Sequence, residues 1–211
     1  MCTEDGEEDM GGSISIDGVD IQSVGLSTIR KQMSLVAQDP KLFSGPLRLN
    51  LDAFDEFDDD TVWQALQRVG LHEMVNRLPG GLNSNVVENG DNFSVGERQQ
   101  ICLARALLRQ SKIIFADEAT SACDASTDAQ IQHTIRHEFT DCTVLTIAHR
   151  LDTIIDSDYI LLMEDGQARE FGPPCKLLSD TESAFSKLVA ETGPEESAKL
   201  RSRAFEVAQE K

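Results

Sequence analysis

Apolar positions divide the chain into three stretches of different rhythm. In the first, Ile14-Ser-Ile16 alternates apolar and polar, Asp17-Gly18 supplies a turn, and Val19 and Ile21 follow, which is the pattern of a hairpin. Met33 to Ala37 predicts a short apolar strand that stops at Gln38, because Pro40 forces Asp39 into extended geometry. The second stretch, about 47–108, is mostly helical in pattern. Trp63, Leu66, Val69 and Gly70 fall on helical spacing, six carboxylates crowd Asp52 to Asp60, and Pro79-Gly80-Gly81 interrupts the run. A last helix is predicted over about 95–108, opened by Ser94.

The third stretch alternates strands and helices. Lys112-Ile-Ile-Phe-Ala116 predicts a buried strand, and Ile131, Ile135 and Phe139 recur at i, i+4 and i+8 of a helix. Thr143 to Ala148 and Tyr159 to Met163 predict two further strands, and Asp165-Gly166 a turn. Strand, helix, strand in that order implies a right-handed crossover and a parallel sheet covered by helices. The tail from Pro194 is a Glu/Ala/Lys/Arg-rich helix candidate with a weak apolar face, whereas residues 1–12, acidic and glycine-rich, predict a flexible leader.

Composition narrows the function classes. With 40% apolar and 27% charged residues over 211 positions, the chain has the makings of a globular core. Its 19 Lys plus Arg against 37 Asp plus Glu give a formal charge of -18. That balance argues against nucleic acid as a partner and against docking on anionic lipid, both of which call for a basic face. Apolar runs such as Tyr159 to Met163 are far short of the ~20 residues that a spanning helix needs. Five scattered cysteines without a C-x-x-C pair fit unpaired thiols in a reducing compartment, not a zinc site.

Two groups of residues carry candidate chemistry. Asp117-Glu118 follows the first strand of the crossover and His149 follows the second, so all three lie at the carboxyl edge of the sheet, where open α/β sheets bind ligands. Adjacent carboxylates can divide labour there, one holding a metal ion and the other polarising water, and a histidine can donate to a phosphate oxygen. The plainer alternative is that Asp-Glu caps the next segment and His149 is a loop residue. The second group is Asn92-Phe-Ser-Val-Gly-Glu-Arg-Gln-Gln100. Ser94 and Glu97 have the spacing of a capping box, which explains both structurally. The same free N–H groups, with Gly96 permitting close backbone approach, would equally make an anion site.

Taken together these segments resemble the nucleotide-binding domain of an ATP-binding cassette transporter, from roughly residue 13 to 192. The likeness rests on Gln38 in Val36-Ala-Gln-Asp-Pro40 (the Q-loop), the signature Phe93-Ser-Val-Gly-Glu97, the Walker B strand Ile113 to Glu118, the D-loop Ser121-Ala-Cys-Asp124 and the switch His149. Leu42-Phe-Ser-Gly-Pro46, Arg48-Leu-Asn-Leu-Asp52, Cys102 to Arg109 and Cys142 to Leu151 resemble the multidrug-resistance-associated (C-type) subfamily, specifically its second such domain. Glu97 stands where the signature commonly has Gln, and Ala37 where Pro often precedes the Q-loop glutamine.

The resemblance implies an α/β fold of the P-loop NTPase class: a mostly parallel sheet flanked by helices, a helical signature subdomain over about 47–108, and a helical tail over 193–211. It also implies roles. Glu118, His149 and Gln38 would be catalytic, with Asp117 and Gln38 at Mg²⁺. Ser94, Val95, Gly96 and Glu97 would bind ATP held mainly by a facing second domain, and Asp124 would communicate across that dimer. Membrane domains would be the other partner, with this part on the cytoplasmic face of the membrane. The 211 residues contain no G-x-x-x-x-G-K-[ST]. In the family that loop lies upstream of the region matching Ile14, so the expectation is a C-terminal piece of an ATP-hydrolysing exporter, itself without turnover. Two alternatives are a DNA-acting ATPase of the same superfamily, disfavoured by the absence of long heptads and basic faces, and a non-catalytic interaction module.

Overall fold

The structure, a computed structural model, describes residues 12–120 and 123–210. Residues 1–11 of the expected leader and Ser121 and Ala122 of the D-loop motif lie outside the described residues. The chain opens with the predicted hairpin, β1 (Ser15–Ile16) antiparallel to β2 (Val19–Asp20). Asp17 and Gly18 have φ of 50° and 77°, the left-handed pair that a two-residue hairpin turn requires. After α1 (Leu26–Lys31) comes β3 (Met33–Val36), and residues 37–44 then run without regular structure.

A helical layer follows. It holds β4 (Gly45–Pro46), α2 (Leu47–Leu51), α3 (Asp59–Arg68), α4 (His72–Arg77), β5 (Asn85–Val86) and α5 (Val95–Arg109), with β4 and β5 paired antiparallel. Its acidic run has two uses. Asp58 caps α3 by accepting from the Thr61 amide, and Asp59 and Asp60 sit in the first turn, where the helix dipole favours carboxylates. Asp52, Asp55 and Asp59 surround Arg48, whose guanidinium also donates to the Phe57 carbonyl. At the far end of α3, Gly70 takes φ 79° and the Leu71 amide donates to the Leu66 carbonyl at 2.8 Å, a Schellman-type stop.

The sheet comes next: β6 (Ile113–Asp117), α6 (Ala125–Glu138), β7 (Thr143–Ile147) and the short α7 (Leu151–Ile154). Strand order is β3-β6-β7, all parallel, with Leu35, Phe115 and Leu145 in one row. Tyr159–Met163 was expected as a further strand. It appears as β8 (Ile160–Glu164), paired antiparallel with β9 (Gln167–Gly172) as a separate hairpin. Three helices close the chain: α8 (Pro174–Ser179), α9 (Ala184–Glu191) and α10 (Pro194–Glu210). Among the described residues no helix is long and apolar enough to cross a membrane, and the four cysteines are unpaired.

Two cores form. The larger joins Val36, Ile114 and Ala116 of the sheet to Ile101, Leu103 and Leu107 of α5, Ile131 of α6 and Val62, Leu66 and Val69 of α3. The smaller gathers Ile155, Ile160, Leu178, Phe185 and Val189 with Leu200 and Ala204 of α10, so the helical tail is packed rather than loose.

Helices cover one face of the parallel sheet. On the other, Leu35, Phe115, Leu145 and Ile147 stay exposed, with Leu35 and Ile147 each above 60%. Parallel sheets are ordinarily buried on both faces, and β7 is an edge strand with no charged residue in Thr143-Val-Leu-Thr-Ile147. As a separate polypeptide the 211-residue chain is therefore expected to self-associate. Sedimentation velocity should reveal concentration-dependent oligomers, and Leu145→Lys should shift the population toward monomer. A monodisperse wild-type monomer with a sharp cooperative melt would count against this.

Candidate functional site

The carboxyl edge of the sheet gathers three of the sequence-predicted residues. β6 ends at Asp117, and Glu118 then takes φ 45°, a left-handed conformation that is uncommon for a residue with a side chain and turns the chain sharply at the strand end. Its amide still reaches the Ile147 carbonyl at 2.9 Å, which ties the turn to the end of β7. The Glu118 carboxylate is shared. Oε1 lies 2.5 Å from His149 Nε2, and Oε2 accepts from Gln38 Nε2 at 3.0 Å. Gln38 enters from the irregular segment after β3, eighty positions away in sequence.

The loop bearing His149 is anchored from the neighbouring residue. Arg150 donates to Asp128 of α6 at 2.8 Å and to both oxygens of Asp152. His149 itself is largely exposed, whereas Glu118 keeps only 17% of its side-chain surface. The half-buried carboxylate thus meets an exposed imidazole. The cavity behind it measures about 40 Å³, room for a water or two and far too small for a nucleotide. Any larger ligand has to lie outside it.

Asp117 is placed differently from its neighbour. By strand alternation it shares the uncovered face with Phe115, and it makes no hydrogen bond or ion pair among the described residues. No group of three or more His, Cys, Asp or Glu side chains suited to a metal ion occurs among the described residues. One free carboxylate beside a second is nevertheless the donor set Mg²⁺ accepts, since that ion usually takes one or two carboxylates and completes its shell with water and phosphate oxygens. The residues present fit it.

The signature segment forms a second group. The predicted capping box is present: Ser94 Oγ accepts from the Glu97 amide at 3.2 Å, and Glu97 Oε2 accepts from the Ser94 amide at 2.7 Å. Ser94 is exposed, Val95 and Glu97 are half-buried, and Gly96 is buried. A Cβ on Gly96 would stand 2.2 Å from Thr127 Cγ2, so glycine here lets the start of α6 pack against the start of α5. That packing role was not legible in the sequence, which offered only close approach to an anion. Asp124 caps α6, accepting from the amides and hydroxyls of Ser126 and Thr127, and those bonds hold its carboxyl well below the usual range. Ser94, Gly96, Glu97 and Asp124 therefore share one surface. No hydrogen bond or ion pair joins their side chains to Glu118, His149 or Gln38 among the described residues. Sequence reasoning passed over Thr127 and Gln99. The available signal was that Gln99 lies one turn before Leu103 and two before Leu107, on the buried stripe of α5.

Comparison with known proteins bears on all of this. A family profile described as “ABC transporter” matches residues 3–121. ABC transporter C family member 3 of Dictyostelium discoideum is 50% identical over 190 residues, which is 90% of this chain and 14% of that protein. ATP-binding cassette sub-family C member 2 of Rattus norvegicus is 51% identical over 188 residues, 89% of this chain and 12% of that protein. Among solved structures, a bacterial Atm1-family ABC exporter with ATP bound superposes with a TM-score of 0.80 at 33% identity, over 88% of this chain and 32% of that one. The chain thus spans between 12% and 14% of the length of these two curated relatives. The ordered motifs, the parallel sheet with its helical layer and these likenesses agree: the chain belongs to the ABC transporter family, as a nucleotide-binding domain of its C, or multidrug-resistance-associated, subfamily.

Proposed function

We propose that this domain is the second nucleotide-binding domain of an ATP-driven exporter and couples ATP binding and hydrolysis to the transport of organic or conjugated solutes. Residues 13–192 form the domain, with 47–108 as its helical part and 193–211 as a helical tail. The contact of one carboxylate, Glu118, with both His149 and Gln38 carries the reading. A general base needs to sit within hydrogen-bond reach of the groups that align its water, and phosphoryl transfer is chiefly positioning and charge stabilisation.

In this reading Glu118 orients and deprotonates the attacking water. Gln38 holds one carboxylate oxygen and would help to hold Mg²⁺ and the attacking water. His149 leaves Glu118 to donate to the γ-phosphate of ATP, a move that its exposure permits. Asp117 would be the carboxylate that holds Mg²⁺. When bound, that ion supplies neutralisation of the phosphate charge. Across a dimer, Ser94, Val95, Gly96 and Glu97 contact the γ-phosphate of nucleotide held mainly by the facing domain, and Asp124 meets that domain beside them. Membrane domains are the remaining partner. Phe43, Leu49 and Phe54 stay exposed near the Q-loop segment, and Phe43 is tied to Asn50 by a hydrogen bond in each direction, which supports an apolar docking point there.

The reading predicts weak nucleotide binding by the 211 residues alone. They hold no lysine-bearing phosphate loop, and each charge-assisted phosphate contact contributes ~1.5–3 kcal/mol. Lacking even two such contacts lowers affinity by roughly 10²- to 10⁴-fold. Titration calorimetry should therefore detect only very weak Mg-ATP binding and no turnover. Micromolar, Mg²⁺-dependent binding would sink this reading of the chain as a half-site. For the full-length protein, the test is ATP-dependent uptake of a conjugated organic anion into inside-out vesicles, and equal uptake with and without ATP would overturn the exporter reading. The uncovered sheet face favours a second reading, in which the separate 211-residue chain acts only as an interaction module.

A further inference from the structure

Helix α5 carries two successive glutamines on its buried side, and they face different neighbours. Gln100 donates to the Val69 carbonyl at the end of α3, 2.7 Å away, and so ties α5 into the helical layer. Gln99, 1% exposed, turns the other way. Its Nε2 donates to the Ala37 carbonyl at 2.7 Å and to the Gln38 carbonyl at 3.3 Å. Those two carbonyls belong to the peptide planes on either side of the Gln38 Cα. A residue between planar peptides has only two soft dihedrals, so holding both planes sets its backbone and with it the direction of its side chain. The segment it grips has no regular structure of its own from residue 37 to 44. With both amide protons committed, Gln99 Oε1 is left buried without a partner. Buried polar atoms are seldom left so, and the arrangement is one that packing alone would not select.

We propose that Gln99 is a positioning residue for Gln38. By fixing both peptides around it, Gln99 aims the Gln38 amide at Glu118, so that a displacement of α5 at its Ser94 end is passed to the carboxylate. Three hydrogen bonds and one close contact make the relay: Gln99 to the Ala37 and Gln38 carbonyls, Gln38 to Glu118, and Glu118 against His149. Ser94 lies five residues before Gln99 in the same helix, about 7.5 Å along a rigid rod. The proposal builds on the reading of Glu118 and Gln38 given above, and it adds that contact at the signature surface and geometry at the strand-end site are linked within one domain.

The test is spectroscopic and uses the 211-residue chain labelled with ¹⁵N-glutamine, at concentrations where it is monomeric. The side-chain amide of Gln38 reports directly on its bond to Glu118, and Glu118→Ala marks the position of that resonance when the bond is absent. Gln99→Met keeps length and apolar stem but removes both donors. It should move the Gln38 resonance to the position seen in Glu118→Ala. Gln100→Met, equally buried in the same helix, should leave it in place. An unmoved Gln38 resonance in Gln99→Met overturns the proposal, and so does an equal movement in Gln100→Met, which would mean general loosening of α5. In the full-length protein, Gln99→Met should lower kcat by up to roughly 10²-fold, the loss expected of a misplaced reacting group, with KM little changed. It should add nothing on a Gln38→Ala background. A moved resonance with unchanged turnover supports the positioning and overturns instead the hydrolytic role assigned to Gln38.

Discussion

Glu118→Gln, introduced into the full-length protein that carries this domain, is expected to trap ATP and to cut steady-state turnover by at least ~10²-fold, the lower range for a positioned general base. The substitution keeps shape and the ability to accept from Gln38 but removes the proton acceptor. The left-handed backbone at Glu118 and the ties to His149 and Gln38 hold the group in one place, and its neighbour Asp117 lies on the uncovered face of the sheet with Phe115. Glu97→Gln should behave very differently. Glu97 is occupied by its capping bond to the Ser94 amide, and a glutamine oxygen accepts that bond as well. If this is the second domain, as proposed, Glu97 lies against nucleotide held mainly by the facing domain and not in the site that contains Glu118. Maximal turnover should then change only a few-fold, with the main effect on nucleotide affinity. Steady-state ATPase rates of both variants decide the matter. If Glu97→Gln were as damaging as Glu118→Gln, assignment to the second domain would be wrong.

The largest expected effect on stability is at Arg48. Its side chain is 16% exposed and the Asp52 side chain 3%, and the guanidinium joins Asp52, Asp55, Asp59 and the Phe57 carbonyl in one knot between α2 and α3. Arg48→Met leaves Asp52 buried without its cation, and breaking a buried pair from one side costs about 3–5 kcal/mol. Chemical denaturation of the chain should register that loss. Asp52→Asn, which keeps an acceptor for one of the Phe57 and Glu56 amides and leaves no buried charge at position 52, should lose less. The same carboxylate makes stability depend on pH. Burial alone would push the Asp52 carboxyl up, but the amides of Phe57 and Glu56 and the Arg48 guanidinium outweigh it and hold it below 3.8. A carboxyl depressed on folding contributes fully above its unfolded value and loses that contribution as pH falls through the folded one. The wild-type chain should therefore lose this increment as the solution is acidified below about pH 4, and Asp52→Asn should lack it. An identical acid profile for the two would remove Asp52 from the account.

Much of the fold and the site was legible along the chain because it depends on neighbours in sequence. The Asp17-Gly18 turn, the Ser94–Glu97 capping box and the strands around Phe115 and Leu145 follow from backbone preference, hydrogen-bonding reach and two-residue alternation. Each lies within a few residues. The order of motifs was enough to indicate the family, and strand direction was enough to bring Glu118 and His149 to one edge. Periodicity could not reveal that β8 leaves the parallel sheet for a hairpin with β9, because an apolar run of five reads alike in either partnership.

Contacts between residues far apart in sequence were not legible, because their formation depends on register and packing summed over whole elements. The grip of Gln99 on residues sixty-one and sixty-two positions away is one. The fit of Thr127 against Gly96 is another, as is the sharing of Glu118 between Gln38 and His149. The closing of the acidic run at Asp52 to Asp60 around Arg48 is a further one. Which side chains carry charge, and on which strand or helix they ride, is written in the order of residues. Which of those charges meet was set by the packing of α5 against both the sheet and α3, a balance of many weak contacts that no local pattern encodes.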